Sequence, residues 1–308
     1  MAGFLGLMAV ATGVWVWFAL SVHAPARWRM VAQCATVALV AGAIAALWVG
    51  SILWVSAALG VIIVACTVWF LTRTPRNDRD WIAETRHGVT ATIGTTVTLH
   101  NMRRFRWASK TIFVEAWEEG VFDPDAITSV DLYLSVWASP RIAHTMAGFG
   151  FADGRHVVFS GETRRKLGDR FSIAGGFFRR FELVLLAADE RDAVHLRAEI
   201  RKERVFRFPV AMTPVAARAL FLAYAELGND LAVRPRWYNT VTANCTTVPY
   251  RLVKAVTPWV RFGWPVLVSG YLPEYLARLG VLPGGADRDK ALVPQVGDGA
   301  DYSRAIRR

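Results

Sequence analysis

Cysteine is scarce in this 308-residue chain: Cys34, Cys66 and Cys245 are the whole supply. An odd count without paired spacing excludes a disulfide framework and a Cys-based zinc site. Charge is missing altogether from residues 4–22 and again from residues 31–71. Together with 54% hydrophobic residues, 13 Trp and a positive mean hydropathy, this excludes an ordinary soluble protein. The first uncharged run also lacks a basic leading segment and a small-residue cleavage site, so a cleaved signal peptide is not expected. No charged residue interrupts the apolar runs to mark an ion or proton path, which leaves them the role of an anchor. The net charge of +11 comes without a nucleic-acid-binding fingerprint, and beside membrane-length segments it points to anionic head groups instead.

Residues 4–22 are long enough to cross ~30 Å of hydrocarbon. The run 31–71 is too long for one span and suits two, with a turn at Gly50-Ser51. Three transmembrane helices are therefore predicted, with Trp48, Trp54 and Trp69 available as interfacial anchors. Arg27 and Arg29 follow the first span, and Arg73 and Arg76 follow the third. By charge bias alone both basic stretches, and hence the rest of the chain, lean toward the cytoplasm. The chain reads as a transmembrane anchor (1–72), an α+β domain (73–282) and a flexible tail (283–308) rich in Gly, Asp and Pro.

Cys34 and Cys66 sit in apolar runs and read as small hydrophobes. Cys245 sits instead in a polar setting, Asn244-Cys-Thr-Thr247, between two helical patterns. Thr213-Pro214 opens the helix before it, with Thr as cap and Pro in the first turn. The helix after it starts at Thr246 or Thr247, with Pro249 in its first turn. A cysteine at a helix start is favoured as thiolate, and the nearby free N–H groups can form an oxyanion hole.

A hundred residues upstream, His144 lies on a strand-like segment. The run Ile142–Phe151, the loop Ala152-Asp153-Gly154 and the run Arg155–Arg164 read as a β-hairpin. A three-residue loop with Gly last pairs Phe151 with Arg155, which sets His144 opposite Glu162. Directly opposed residues have Cβ atoms ~4.5–5.5 Å apart, so Glu162 can orient the imidazole. A two-residue turn would put Thr163 there, and a surface ion pair of Glu162 with Arg164 or Arg165 is the alternative. His156 is the competing third member. Asn244, Thr246 and Tyr238 are candidates for supporting an oxyanion or shaping the pocket, although turn hydrogen bonding also accounts for Asn244. Arg103–Arg106 and Arg164-Arg165 are candidates for phosphate head groups or for a solvated face. Val130–Trp137 alternates and reads as a half-buried strand, with Asp131, Tyr133, Ser135 and Trp137 on its polar side.

The motifs Asn77-Asp-Arg-Asp-Trp81, Ala143-His-Thr-Met146, Phe151-Ala-Asp-Gly-Arg155, Ser160-Gly-Glu-Thr-Arg164 and Tyr238-Asn-Thr…Asn244-Cys-Thr-Thr247 occur in this order. They resemble the domain named for the periplasmic N-terminal part of the bacterial lipoprotein N-acyltransferase Lnb. The resemblance covers most of residues 77–280. It implies an extracytoplasmic domain, overriding the charge bias, on a multi-pass protein of the bacterial inner membrane. The implied fold is similar to circularly permuted papain-like enzymes, an antiparallel sheet with packed helices. The implied chemistry is Cys/His-dependent acyl transfer through a thioester, with membrane lipid and lipoprotein substrates, no cofactor and no metal. Cys245 would be the nucleophile, His144 the base and Glu162 the orienting carboxylate. A cysteine peptidase or amidase of the envelope and a catalytically silent binding module are the competing expectations.

Overall fold

A computed structural model describes residues 1–308, the side chain of Ala138 excepted. The chain divides into two compact units, Met1–Arg76 with Arg170–Phe181, and Asn77–Asp169 with Glu182–Arg308.

The first unit contains three helices, α1 (Ala2–His23), α2 (Ala26–Trp48) and α3 (Ile52–Thr72), each long and apolar enough to span a membrane. The turn between α2 and α3 falls at the predicted place, with Gly50 at φ +82°. Arg27 and Arg29 are not in a loop but in the first turn of α2, which Pro25 opens. The segment 170–181, with the short helix α4 (Ile173–Phe177), belongs to this unit rather than to the domain that surrounds it in sequence. Arg179 donates to the Phe70 carbonyl at 2.6 Å, and the His23 ring meets the Phe178 carbonyl at 2.7 Å. Trp15 packs against Phe178 with ring centroids 5.2 Å apart.

The second unit carries ten strands: β1 (Thr90–Ile93), β2 (Val97–Arg103), β3 (Arg106–Trp107), β4 (Phe113–Val114), β5 (Trp117–Phe122), β6 (Ile127–Ser139), β7 (Ile142–Phe151), β8 (His156–Arg164), β9 (Glu182–Ala188) and β10 (Arg204–Pro209). Eight form one sheet in the order β1-β2-β9-β8-β7-β6-β10, with β5 also on β2, and β3-β4 form a separate ribbon. Within the large sheet only the β2–β9 pair is parallel. The α+β expectation holds. In β5 Gly120 and Phe122 are buried while Glu118 and Glu119 are exposed.

Helices cover both faces. On one lie α6 (Pro214–Val233), α7 (Thr247–Val256) and α8 (Leu272–Arg278). Thr213 caps α6 by accepting from the Ala216 N–H, and Phe221 and Tyr224 of this helix pack edge-to-face and stacked on Phe149 and Phe159 of the sheet. On the other lie α5 (Glu190–His195), which runs into a π-helical turn at Leu196–Ile200, and the end of the chain.

This two-sided cover corrects the half-buried reading of β6. The alternation is real, but Asp131, Tyr133 and Ser135 are 1%, 0% and 0% exposed. They are buried because they have ionic and hydrogen-bonding partners: Tyr133 donates to Glu190 at 2.5 Å, Arg207 and Arg307 both hold Asp131, and Ser135 bonds Glu203. The tail expected to be flexible is likewise packed. Val293, Tyr302 and Ile306 enter the core, and Arg307 grips Glu190 through both guanidinium nitrogens, at 2.7 and 2.6 Å. A few anchors suffice to order a segment whose composition is otherwise that of a loop.

The basic cluster is taken up by ion pairs and hydrogen bonds within the domain. Arg103 forms a bidentate pair with Asp192 at 2.8 and 2.9 Å, both groups buried, and Asp192 also accepts from Trp107 and the Phe105 N–H. Arg104 and Arg106 pair with Glu118 and Asp189. Arg164 bonds Asn77 and the Thr85 carbonyl and lies over Trp81. These arginines are spent on the fold rather than offered to head groups.

Candidate active site

The hairpin forms in the register its turn predicts. Gly154 takes the left-handed conformation at φ +83°, the Phe151 N–H donates to the Arg155 carbonyl, and Gly150 pairs with His156. The β7–β8 ladder then ends at Ala147↔Phe159. Below it β7 stays with β6 as far as Ala143↔Val136 and beyond, while β8 stays with β9 as far as Arg164↔Glu182. The sheet therefore opens into a fork, and Cys245 occupies it. Thr145 on one prong donates to the Cys245 carbonyl, the Ala143 carbonyl lies 4.0 Å from its sulfur, and Gly161 on the other prong faces its Cα. Strand alternation puts Thr145 and Gly161 on one face of the sheet and His144, Ser160 and Glu162 on the other. The opening of the ladder lets the two sets meet.

His144 Nε2 lies 3.1 Å from Glu162 Oε1 and 2.7 Å from Ser160 Oγ, and Ser160 donates to Glu162 at 2.8 Å. The ring is close enough to the thiol for each group to bias the charge of the other. Neither Arg164 nor Arg165 holds Glu162. The partner is Arg197, from the π-helical turn, at 2.6 Å.

The electrostatics follow from these contacts. Burial opposes charging of His144, but the Glu162 carboxylate and then the Cys245 sulfur outweigh it and raise its pKa to about 9. Burial also disfavours the Cys245 thiolate, yet the nearby imidazolium and then the Thr145 N–H bring the thiol below its ordinary value. Against a similar burial cost, His144 and Arg197 hold the Glu162 carboxyl well below the usual carboxylate range. The arrangement favours charge on the ring and eases ionisation of the thiol beside it.

The remaining predicted residues divide. Tyr238 is buried beside the site, and burial, then Cys245 and Glu162, push its phenol up so that it stays protonated. Thr246 Oγ1 lies 3.9 Å from the sulfur and 3.4 Å from Thr145. Asn244 is committed to capping α7: its Oδ1 accepts from the Thr246 and Thr247 N–H groups at 2.8 Å each, and its Nδ2 donates to the Thr240 carbonyl. Those two N–H groups are thereby withdrawn from the expected oxyanion hole. Pro249 falls in the first turn of α7, as expected. His156 pairs with Gly150, six residues along β7 from His144 and so roughly 20 Å away. Its ring bonds the Gly154 carbonyl; burial lowers its pKa, and its charged neighbours are Glu190, Arg307 and Asp131. It is not brought to the thiol.

Three features escaped the sequence. Ser160 shares a strand face with Glu162 at i and i+2, a signal that was available. Arg197 lies 35 residues from Glu162 in a charged helical stretch, with nothing local to single it out. The third is a cavity of about 350 Å³ on the Thr145 face, between β6, β7, α6, α7 and α8. Its lining is mostly aliphatic and aromatic, including Leu132, Leu220, Val253, Trp259 and Val266, and Thr145 and Thr246 connect it to the cysteine.

No curated protein and no solved structure matches the chain. Residues 113–270, which include Cys245, His144, Glu162, Arg197 and Tyr238, match the family described as the Lnb N-terminal periplasmic domain. With three helices able to span a membrane ahead of that domain, the chain is a membrane protein with a periplasmic domain, and it belongs to the Lnb N-terminal periplasmic domain family.

Proposed function

We propose that this chain is a thiol-dependent acyltransferase, anchored by several spans in the bacterial inner membrane and acting on acyl esters of lipoproteins or lipids. The observation that carries the reading is the Cys245–His144–Glu162 line beside an apolar cavity of about 350 Å³. The thiolate attacks the ester carbonyl, the C–O bond breaks, and the leaving alkoxide takes the imidazolium proton, which leaves a thioester on Cys245. An incoming amine then attacks the thioester, gives its proton to His144 and releases the thiolate. Glu162, braced by Arg197 and Ser160, holds the ring and stabilises its charged form.

The cavity favours a hydrocarbon chain over the polar peptide that an envelope peptidase or amidase would bind, because its lining offers few hydrogen-bonding partners. A cysteine held beside a histidine that a braced carboxylate orients argues against a silent binding module. Mass spectrometry of lipoprotein N-termini tests the reading in cells expressing wild type or Cys245→Ala. An N-acylated lyso-form that depends on Cys245 is expected; identical acyl patterns in the two strains would refute it.

A further inference from the structure

The segment between α7 and α8 has two sides. Val260, Val266 and Leu272 are buried and line the cavity. Between them, Trp259, Phe262, Trp264, Leu267 and Tyr271 are 60%, 56%, 57%, 45% and 38% exposed. Trp259 both lines the cavity and is exposed, so it marks the mouth. Five large apolar side chains exposed within thirteen residues form an apolar patch of the kind that marks an interaction site. The segment itself is also one-signed: Arg251, Lys254 and Arg261 are exposed, and no Asp or Glu occurs from Cys245 to Pro273. The patch is held in place rather than loose. Ser269 Oγ accepts from the Ala143 N–H at 3.0 Å and donates to its carbonyl at 2.6 Å, beside His144. Gly270 packs so closely on Pro140 that an added Cβ would lie 2.1 Å from its carbonyl oxygen.

We infer that residues 257–271 are a membrane-docking surface that seats on an anionic phospholipid bilayer, so that the apolar cavity opens into lipid and chain-bearing substrates enter from the bilayer. Aromatic side chains interleaved with cations suit the boundary between head groups and acyl chains, where rings sit at the interface and Lys or Arg meets phosphate. The chain's own spans keep a bilayer within reach of the domain. The route to Cys245 rests on the acyltransferase reading; the docking itself does not.

The test uses the full chain, in wild-type and Cys245→Ala forms, reconstituted into vesicles of phosphatidylethanolamine and phosphatidylglycerol. p-Benzoylphenylalanine replaces Trp264, or Val233 as an exposed control at the end of α6. On irradiation, position 264 is expected to yield phospholipid adducts at least tenfold above position 233, equally in both forms. Omitting phosphatidylglycerol is expected to lower the yield severalfold. Equal yields at 264 and 233, adducts to protein alone, or indifference to phosphatidylglycerol would overturn the docking surface. Because the adduct does not need the thiol, a failed acyl transfer with lipid adducts at 264 would sink only the functional reading, and acyl transfer without them only this one.

Discussion

At the scale of single residues, the central pair is a cysteine whose burial penalty His144 outweighs and a histidine whose burial penalty Glu162 and then Cys245 outweigh. His144→Ala removes the largest influence that lowers the thiol. An unassisted thiol is only a few per cent thiolate at pH 7, so alkylation of Cys245 by iodoacetamide should slow at least about tenfold in that variant. In the wild type, acyl transfer needs His144 charged to protonate the leaving group. Its raised pKa keeps the imidazolium present at neutral pH and releases the proton as pH passes about 9, which predicts a falling alkaline limb there. A Glu162→Gln variant should move that limb to lower pH, because the carboxylate is the largest influence raising the ring. A rate that stays level through pH 10 in the wild type would contradict the assignment. His144 and Glu162 were legible in advance because a three-residue turn ending in Gly154 sets the register, and register alone fixes which side chains face each other. Arg197 was not legible, since no sequence spacing links a π-helical turn to a strand 35 residues away.

At the scale of elements, the fork between β7 and β8 lets a residue from one face of the sheet meet residues from the other, and α7 delivers it with Asn244 as cap. Helix starts, strand alternation and the hairpin could be read from the chain. What alternation could not convey is whether a polar face meets water or buried partners. Asp131, Tyr133 and Ser135 look solvent-facing until Glu190, Glu203 and Arg307 are brought to them from distant segments. The cavity was invisible for the same reason, because its walls come from β6, β7, α6, α7 and α8 together. Val253 on α7 lines it, so Val253→Trp should fill it. Transfer of long acyl chains should then drop at least about tenfold, whereas alkylation of Cys245 by small iodoacetamide stays within about twofold of wild type, since the added bulk lies away from the thiol–imidazole pair. An unchanged preference for long chains would remove the cavity from the account.

At the scale of the whole molecule, the family places the domain in the periplasm, while Arg73 and Arg76 after α3 lean the other way. Long domains translocate largely regardless of a few nearby charges, so the family outweighs the bias. Alkaline phosphatase fused after Arg308 should therefore be active in intact cells, and an inactive fusion made at normal levels would contradict a periplasmic domain. The three spans were legible because long uncharged runs admit few alternatives. The packed tail was not, because Gly, Asp and Pro dominate its composition and hide the four anchors Val293, Tyr302, Ile306 and Arg307.

The central claim is that Cys245 carries the acyl group, and the most direct measurement is the mass of the protein itself. The purified full chain is mixed with a diacylglyceryl lipopeptide, quenched in acid within the first turnover, and its intact mass and Cys245 peptide are measured. The account predicts a mass increase of one fatty acyl chain on Cys245, removed by neutral hydroxylamine and absent from Cys245→Ala. Transfer to the lipopeptide amine that persists in Cys245→Ala, or an acyl group found on another residue, would contradict it.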